Sequence, residues 1–403
     1  MDDKKRILFV DDESRVLDGI RRMLRGMRDE WETTFAGGGE EALQVMARKP
    51  FDVIVSDIRM PGISGTELLI EVKAKYPSMV RIALSGQSDI DSIFRSVGPI
   101  HQYLSKPCDP EKLKSTIART FMLRAMLENG KLESAVSEME SLPSMPENYN
   151  RLLEELEKPE ASIKVIEQVV SQDMGMSAKL LQLVNSSFFG VGRRISDPAR
   201  AIIMLGLETV KRLTLMTHVF SQFNCNSIPE FKPDDLWKHS VASAGLAKRI
   251  AVLEQADEKT CDDSFIAGLL HDVGKLVLAS KLNSEYRKVF EIASRDGTDL
   301  LDAERKTLGA THAEVGAYLL GLWGLSDSVV EAVAYHHSPE KCLSKQFSTL
   351  TAVHAANAIS RHVSAAGDSP GLPGLSTEYI ERIGKADRLQ AWIESYVREH
   401  SEA

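Results

Sequence analysis

The sequence is poor in cysteine, in aromatic residues and in long apolar runs. Its four cysteines (Cys108, Cys225, Cys261, Cys342) are scattered, with no C-x-x-C pair. That argues against a disulfide scaffold or a zinc ribbon and fits a reducing cytosol. No uninterrupted apolar run reaches the roughly 18 residues of a membrane span. The longest candidate, FIAGLLHDVGKLVLAS, is broken by His271, Asp272 and Lys275. The opening MDDKKRILFV has no signal-peptide cleavage site, so a cytoplasmic location is expected. Basic charge is not in excess: 49 Lys and Arg face 58 Asp and Glu, a net charge of −9. Phosphate contact needs a basic surface, so a nucleic-acid binder is disfavoured. The chain has 403 residues, 43% hydrophobic and 27% charged. This composition is that of a globular protein of about two or three domains.

What is present is unevenly placed. Residues 1–130 hold 20 basic and 20 acidic side chains, so the whole net charge lies beyond them. Nine of the ten histidines also lie beyond residue 130, His101 being the exception. Imidazole ligates metals and titrates near neutrality, and the split predicts two domains with different chemistry.

Residues 1–110 alternate strand and helix signals. ILFV (7–10), WETTFA (31–36), FDVIVSD (51–57), VRIALSG (80–86) and HQYLSKP (101–107) read as strands. Amphipathic stretches at 14–25, 37–49 and 66–76 lie between them. Five strands alternating with helices predict an α/β doubly wound parallel sheet. Such sheets bind ligands at the carboxyl ends of their strands. Asp11, Asp12, Asp57, Ser85 and Lys106 all fall there. Any one of them could simply begin a loop, but together they make a coherent site. Converging carboxylates repel unless a cation binds, and Mg²⁺ takes oxygen ligands. Asp57 could accept a phosphoryl group as nucleophile, with Lys106 and Ser85 contacting its oxygens.

At these residues the chain resembles the response-regulator receiver domain, over about 1–125. The match rests on Asp11-Asp12, Asp57 in DIRMPGISG, Ser85 in ALSG, Tyr103 and Lys106-Pro107. The resemblance implies a flavodoxin-like strand order 2-1-3-4-5, Asp57 as phosphoacceptor, and Mg²⁺ on Asp11, Asp12 and Asp57. It implies that Lys106 contacts the phosphoryl group and that Ser85 and Tyr103 switch the 4–5 face. A cis Lys106-Pro107 peptide and a sensor histidine kinase as partner are implied as well.

Residues 111–140 carry a helical stripe of Leu113, Ile117, Phe121 and Leu127, which Asn129-Gly130 interrupts. Two readings stand for this stretch. It is a last receiver helix with a flexible linker, or a signalling helix that passes the switch onward, through a homodimer. The divisions expected are a receiver at 1–125, a linker or signalling helix at 126–141 and an output domain at 142–403.

SLPSMPENYN (141–150) marks the boundary, and helical spacing dominates beyond it. An all-α domain is expected, ending in an amphipathic helix near 385–398. Within it stand His239, His271-Asp272, His312 and His336-His337. A lone histidine on an apolar helix is usually a core residue. Five with one Asp, each within a helical pattern, suggest one convergent centre suited to Fe, Mn or Zn. His218, His354, His362 and His400 fall outside that pattern. Glu304, eight residues before His312, reads as a solvated helix residue, or else as a partner that orients a ligand histidine.

Here the chain resembles the HD superfamily of metal-dependent phosphohydrolases, and more closely its HDOD branch. The match rests on LPSMP, SQDMGMSAKLLQLVNSSFFG, AIIMLGLETVKRL, GLLHDVGKL, HAEVGAYLLGLWGL and AVAYHH. The resemblance implies ligand-type positions at His239, His271, Asp272, His312, His336 and His337. It also places Asp235 and Lys275 where the cyclic-dinucleotide-hydrolysing branch has a carboxylate and a lysine. Two departures stand out. Asn357, in TAVHAANAIS, occupies the place of the last Asp ligand, and the GYP-bearing segment is missing after HDVGK. The expectation is a response regulator with a non-catalytic output that binds a protein or a small ligand. The alternative is a receiver-regulated metal-dependent phosphodiesterase, for example on a cyclic nucleotide.

Overall fold

Short runs of consecutive apolar residues suit strands covered on both faces, and ILFV and VIV form the middle of a five-stranded parallel sheet. Its strands are β1 (Lys5–Val10), β2 (Trp31–Ala36), β3 (Val53–Asp57), β4 (Val80–Ser85) and β5 (Gln102–Ser105), in the order β2-β1-β3-β4-β5. Register pairs Val10 with Ser56, Asp57 with Leu84 and Ser85 with Ser105. The polar strand ends therefore meet at one edge. Helices α1 (Ser14–Met23), α2 (Gly39–Met46), α3 (Gly65–Lys75) and α4 (Pro110–Arg124) belong to the same unit. Local chemistry sets their starts. A capping box of Ser64 and Glu67 opens α3, and Asp109 followed by Pro110 opens α4. The doubly wound sheet and its order are as expected. This computed structural model describes residues 4–85, 99–139 except 128, 142–210 except 145, 159–160, 186–193 and 208, then 221–222 and 228–401 except 343 and 365–371.

The helical stripe at 111–140 is split. α4 ends at Arg124, and α5 (Gly130–Ser137) begins where the Asn129 side chain accepts the Lys131 N–H at 3.0 Å. The helical half then begins with α6 (Pro146–Glu157), α7 (Ile163–Ser171), α8 (Met174–Val184) and α9 (Pro198–Leu205). After them come α10 (Pro233–Leu253), α11 (Glu258–Leu270), α12 (Val273–Lys281), α13 (Asn283–Asp296) and α14 (Leu300–Leu308). The chain continues as α15 (His312–Leu322), α16 (Asp327–Tyr335), α17 (Thr349–Ser364), α18 (Thr377–Arg382) and α19 (Leu389–Ser401). The last of these matches the helix expected near 385–398. Two-residue strands β6 (Pro143–Ser144) and β7 (Ser221–Gln222) pair in parallel, a small addition to a helical domain. No described helix is long and apolar enough to cross a membrane.

The two halves touch where α4 and α5 pack on α15. Gly321 of α15 permits the approach, since a Cβ there would lie 2.0 Å from Leu123 Cδ1 of α4. Gln102 of β5 donates Nε2–H to Gly321 O at 2.9 Å. Arg119 of α4 donates to Leu325 O at 2.8 Å and pairs with Asp327 at 2.9 Å. On the other flank, Ser137 O at the end of α5 accepts from the Arg81 guanidinium at 2.9 Å and from His101 Nε2–H at 2.8 Å. His101 Nδ1 accepts the Arg81 N–H at 3.0 Å, which leaves Nε2 as the protonated nitrogen. Arg81 and His101 are both buried, and burial holds His101 well below the usual histidine pKa. Ser137 Oγ lies 3.4 Å from the Tyr318 hydroxyl of α15.

Candidate functional site

Lys106 follows β5 directly, and its Nζ lies 2.6 Å from Asp11 Oδ2 and 2.7 Å from Asp57 Oδ2. Asp11 is fully buried, and its Oδ1 accepts the Glu13 N–H at 3.0 Å. Burial pushes the Asp11 pKa above the usual carboxylate range despite Lys106. Burial opposes the charge on Lys106, but its bonds to Asp11 and Asp57 leave its pKa raised. Oxygens of Asp11, Asp12 and Asp57 lie within 4.8 Å of one another. Asp12 is exposed and Asp57 nearly buried, so the group opens to solvent on one side. Three hard oxygen donors, one of them costly to ionise where it sits, fit Mg²⁺. Ser85 and Tyr103 are buried on β4 and β5, and Ser85 O accepts the Lys106 N–H at 2.9 Å. The Lys106-Pro107 peptide is cis.

The second centre is built at helix ends. His271-Asp272 fills the break between α11 and α12, His312 opens α15, and His336-His337 follows α16. His239 and Asn357 sit in helix interiors, on α10 and α17. The helical pattern around these residues is thus resolved into helix ends for His271, Asp272, His312, His336 and His337. Side chains at helix termini are released from the helical stripe and can converge. Gly274 allows that convergence, because a Cβ there would lie 1.9 Å from His312 O.

Three imidazoles are oriented by their Nδ1 atoms. His271 Nδ1–H donates to Gly268 O at 2.7 Å, His336 Nδ1–H to Val333 O at 2.8 Å, and His312 Nδ1–H to Glu304 Oε2 at 2.8 Å. Each Nε2 is thereby turned inward, the arrangement that orients metal-binding histidines. His312 Nε2 stands 3.1 Å from Asp272 Oδ1 and 3.2 Å from His337 Nε2, and His336 Nε2 is 3.7 Å from Asp272 Oδ1. Neither Asp272 Oδ1 nor His336 Nε2 completes a hydrogen bond among the described residues, although both residues are buried. Burial opposes charge on His312, yet Glu304 beside it raises its pKa. A divalent ion would take the place of the proton so favoured at Nε2. Donor atoms of Asp272, His312, His336 and His337 lie within 4.8 Å of one another. This imidazole-rich set with one carboxylate fits a transition metal.

His239, His271 and Asp272 form a second, adjoining group. His239 Nε2 lies 2.9 Å from Asn357 Oδ1 and 3.2 Å from His271 Nε2. Asp272 Oδ2, which faces this group, already pairs with Lys275 Nζ at 2.6 Å and Arg361 at 3.4 Å.

Family comparison draws on both halves. The response regulator receiver domain profile matches residues 7–118, and the HDOD domain profile matches residues 142–339. The chain carries a response regulator receiver domain followed by an HDOD domain. Its fold is similar to that of the MmoQ response regulator of Methylococcus capsulatus, at 23% identity and a TM-score of 0.51 over 63% of this chain and 98% of that one. The hydrogenase transcriptional regulatory protein HoxA of Cupriavidus necator is 39% identical over 120 residues, 29% of this chain and 24% of HoxA. An uncharacterised protein of Treponema pallidum is 27% identical over 214 residues, 52% of this chain and 40% of its own. The chain thus spans about a quarter to a half of the length of the curated relatives it matches.

Of the residues singled out in the sequence, Asp11, Asp12, Asp57 and Lys106 come together at the strand ends, Ser85 closes β4 beside Lys106, and Tyr103 lies within β5. In the HDOD domain Glu304 follows the second of its two readings, and Asp235 differs from expectation. Glu304 is fully buried, accepts the His312 N–H at 2.8 Å and accepts from Tyr286 at 3.2 Å. Asp235 stands exposed in the first turn of α10, outside both groups, where a carboxylate suits the positive helix end. His354 is a structural histidine, bonded to His336 O and to Ser376 N–H. His218 lies outside the described residues. Sequence reasoning missed Arg361, although it follows Asn357 by four residues and so shares its helix face. It also missed Arg81, whose signal was a lone charge inside the apolar run VRIALS.

Proposed function

We propose that this response regulator is switched by phosphorylation of Asp57 by a sensor histidine kinase, and that its HDOD domain is the output, acting by binding a protein or small ligand. The observation that carries this reading is the position of β5. Its carboxyl end runs into Lys106, which holds Asp11 and Asp57, and its first residue, Gln102, holds α15. In the transfer, a carboxylate oxygen of Asp57 bonds to phosphorus while the P–N bond of a phosphohistidine donor breaks, its electron pair staying on the imidazole. Asp11, Asp12 and Asp57 would hold Mg²⁺, which supplies positive charge for the phosphoryl oxygens. Lys106 would bond the phosphoryl group, with Ser85 and Tyr103 answering its arrival. Lys106 then draws away from Asp11, and the strand before it shifts against α15. The Arg81–His101–Ser137 junction gives β4 a second grip on α5 and, through Tyr318, on α15. Phosphorylation thereby loosens or re-seats α15, and with it His312 at its first turn.

Binding rather than hydrolysis is supported by Asn357, a neutral amide where a ligand carboxylate would help activate water. A second reading, a metal-dependent phosphodiesterase, is favoured by the inner donor set. Asp272, His312, His336 and His337 would hold the ion, which would act as a Lewis acid on a phosphate ester. The test for the first reading is acetyl-phosphate labelling. Wild type should gain one phosphoryl group and Asp57→Ala none. Equal labelling of the two would refute the assignment. For the second reading, hydrolysis of a cyclic nucleotide by the metal-loaded chain, abolished in Asp272→Asn, would replace a binding output with a catalytic one.

A further inference from the structure

The carboxylate of Asp272 is shared unequally between the two adjoining donor groups. Oδ1 faces His312, His336 and His337, and it lacks a hydrogen-bond partner there. Oδ2 faces His239 and His271, at 3.5 Å from His271 Nε2, and it is engaged by Lys275 and Arg361. The inner group therefore has inward-facing nitrogens and an unsatisfied carboxylate oxygen, with Glu304 adding a second negative charge behind His312. The outer group has the opposite balance. Two cationic side chains stand on its only carboxylate oxygen. Arg361 Nε also approaches His239 Nε2, at 3.5 Å. Asn357 brings no charge, and His239 Nε2 has Asn357 Oδ1 at 2.9 Å and His271 Nε2 at 3.2 Å as further partners. His239 Nδ1 has Ser360 Oγ at 3.3 Å. The outer group thus satisfies itself with hydrogen bonds, and the inner one does not. A divalent ion in the outer position would meet two cations with no uncommitted anion. At separations of a few ångströms that repulsion stays strong even at an effective dielectric of about 20.

We propose that the HDOD domain binds a single divalent transition metal, on Asp272, His312, His336 and His337, and that Arg361 and Lys275 fill the charge role of a second ion beside His239 and His271. This rests on the metal-holding reading of the inner donors and goes beyond it by fixing the stoichiometry and naming the residues that set it. Asn357 and Arg361, one turn apart on α17, act as a unit. One withholds the negative charge that a second ion needs, and the other supplies positive charge in its stead.

The experiment uses the full chain, stripped with chelator, reloaded with Zn²⁺ in an excess of Mg²⁺ that keeps the receiver carboxylates occupied, and desalted, with zinc per chain measured by elemental analysis. Wild type should retain one Zn²⁺. His239→Ala should also retain one, because His239 lies outside the inner set. Asn357→Asp combined with Arg361→Ala restores the carboxylate and removes a cation, and should retain two. Circular dichroism and gel filtration establish that each variant is folded. Two ions in wild type, loss of the ion in His239→Ala, or one ion in the folded double variant would each overturn the proposal. No ion in wild type, at Zn²⁺ levels that saturate ordinary histidine sites, would overturn the metal reading beneath it as well.

Discussion

The contact of Leu123 with Gly321 can be tested as a lock between the domains. The missing Cβ of Gly321 would lie 2.0 Å from Leu123 Cδ1, so Gly321→Ala requires the Leu123 side chain to shift. Overpacking of this kind costs about 1–3 kcal/mol, offset by about 1 kcal/mol from replacing glycine inside a helix. Leu123 is buried, and Leu123→Ala should cost about 2–5 kcal/mol. With the leucine branches gone, the methyl group added by Gly321→Ala has room and only its helical gain remains. Gly321→Ala should therefore be neutral to destabilising by about 2 kcal/mol with Leu123 present, and stabilising by about 1 kcal/mol in the Leu123→Ala background. The assay is hydrogen exchange of the α15 amides in the full chain, which reports the local opening free energy of that helix. If Gly321→Ala has the same effect in both backgrounds, within about 0.5 kcal/mol, the two residues do not meet and the docking described here is wrong.

Three further outcomes follow from the geometry. His101 is buried and its pKa is depressed by that burial, so the unfolded chain binds the extra proton as pH falls through 6.5 and stability is lost below that value. By about pH 5 this histidine should account for at most about 2 kcal/mol. Chemical denaturation of His101→Asn should show a correspondingly shallower acid limb than wild type, and an unchanged limb would place His101 in water. Glu304→Gln should weaken Zn²⁺ binding about 10–100-fold while the chain stays folded, since it removes the charge that orients His312; equal affinity by calorimetry would make Glu304 a packing residue only. Lys106→Ala frees Asp11 and Asp57 from their shared cation, and acetyl-phosphate labelling should become slower while its site remains Asp57.

The receiver was legible because its chemistry sits at strand ends. An apolar run followed by a polar residue fixes both the strand and the end at which it stops, so Asp11, Asp57 and Lys106 fall together from the sequence alone. The HDOD histidines were visible as a set, but not their division into two groups. That division depends on which oxygen of Asp272 each ring faces, and no spacing encodes it. For Glu304 the sequence left two readings open, because eight residues separate it from His312 across a helix end and a turn, where helical periodicity carries no information. The docking of the two domains was illegible for a related reason. Gly321 looks like any small residue in an apolar helix until Leu123 is set against it.

The central claim is that the state of Asp57 reaches α15. The most direct measurement is hydrogen exchange of α5 and α15 in the full chain, with and without beryllofluoride and Mg²⁺ as a mimic of the phosphoryl group, alongside Asp57→Ala. The account predicts that beryllofluoride changes protection at 130–137 and at 312–322 in wild type and leaves the variant unchanged. Beryllofluoride bound at Asp57 with identical protection in both segments would contradict it.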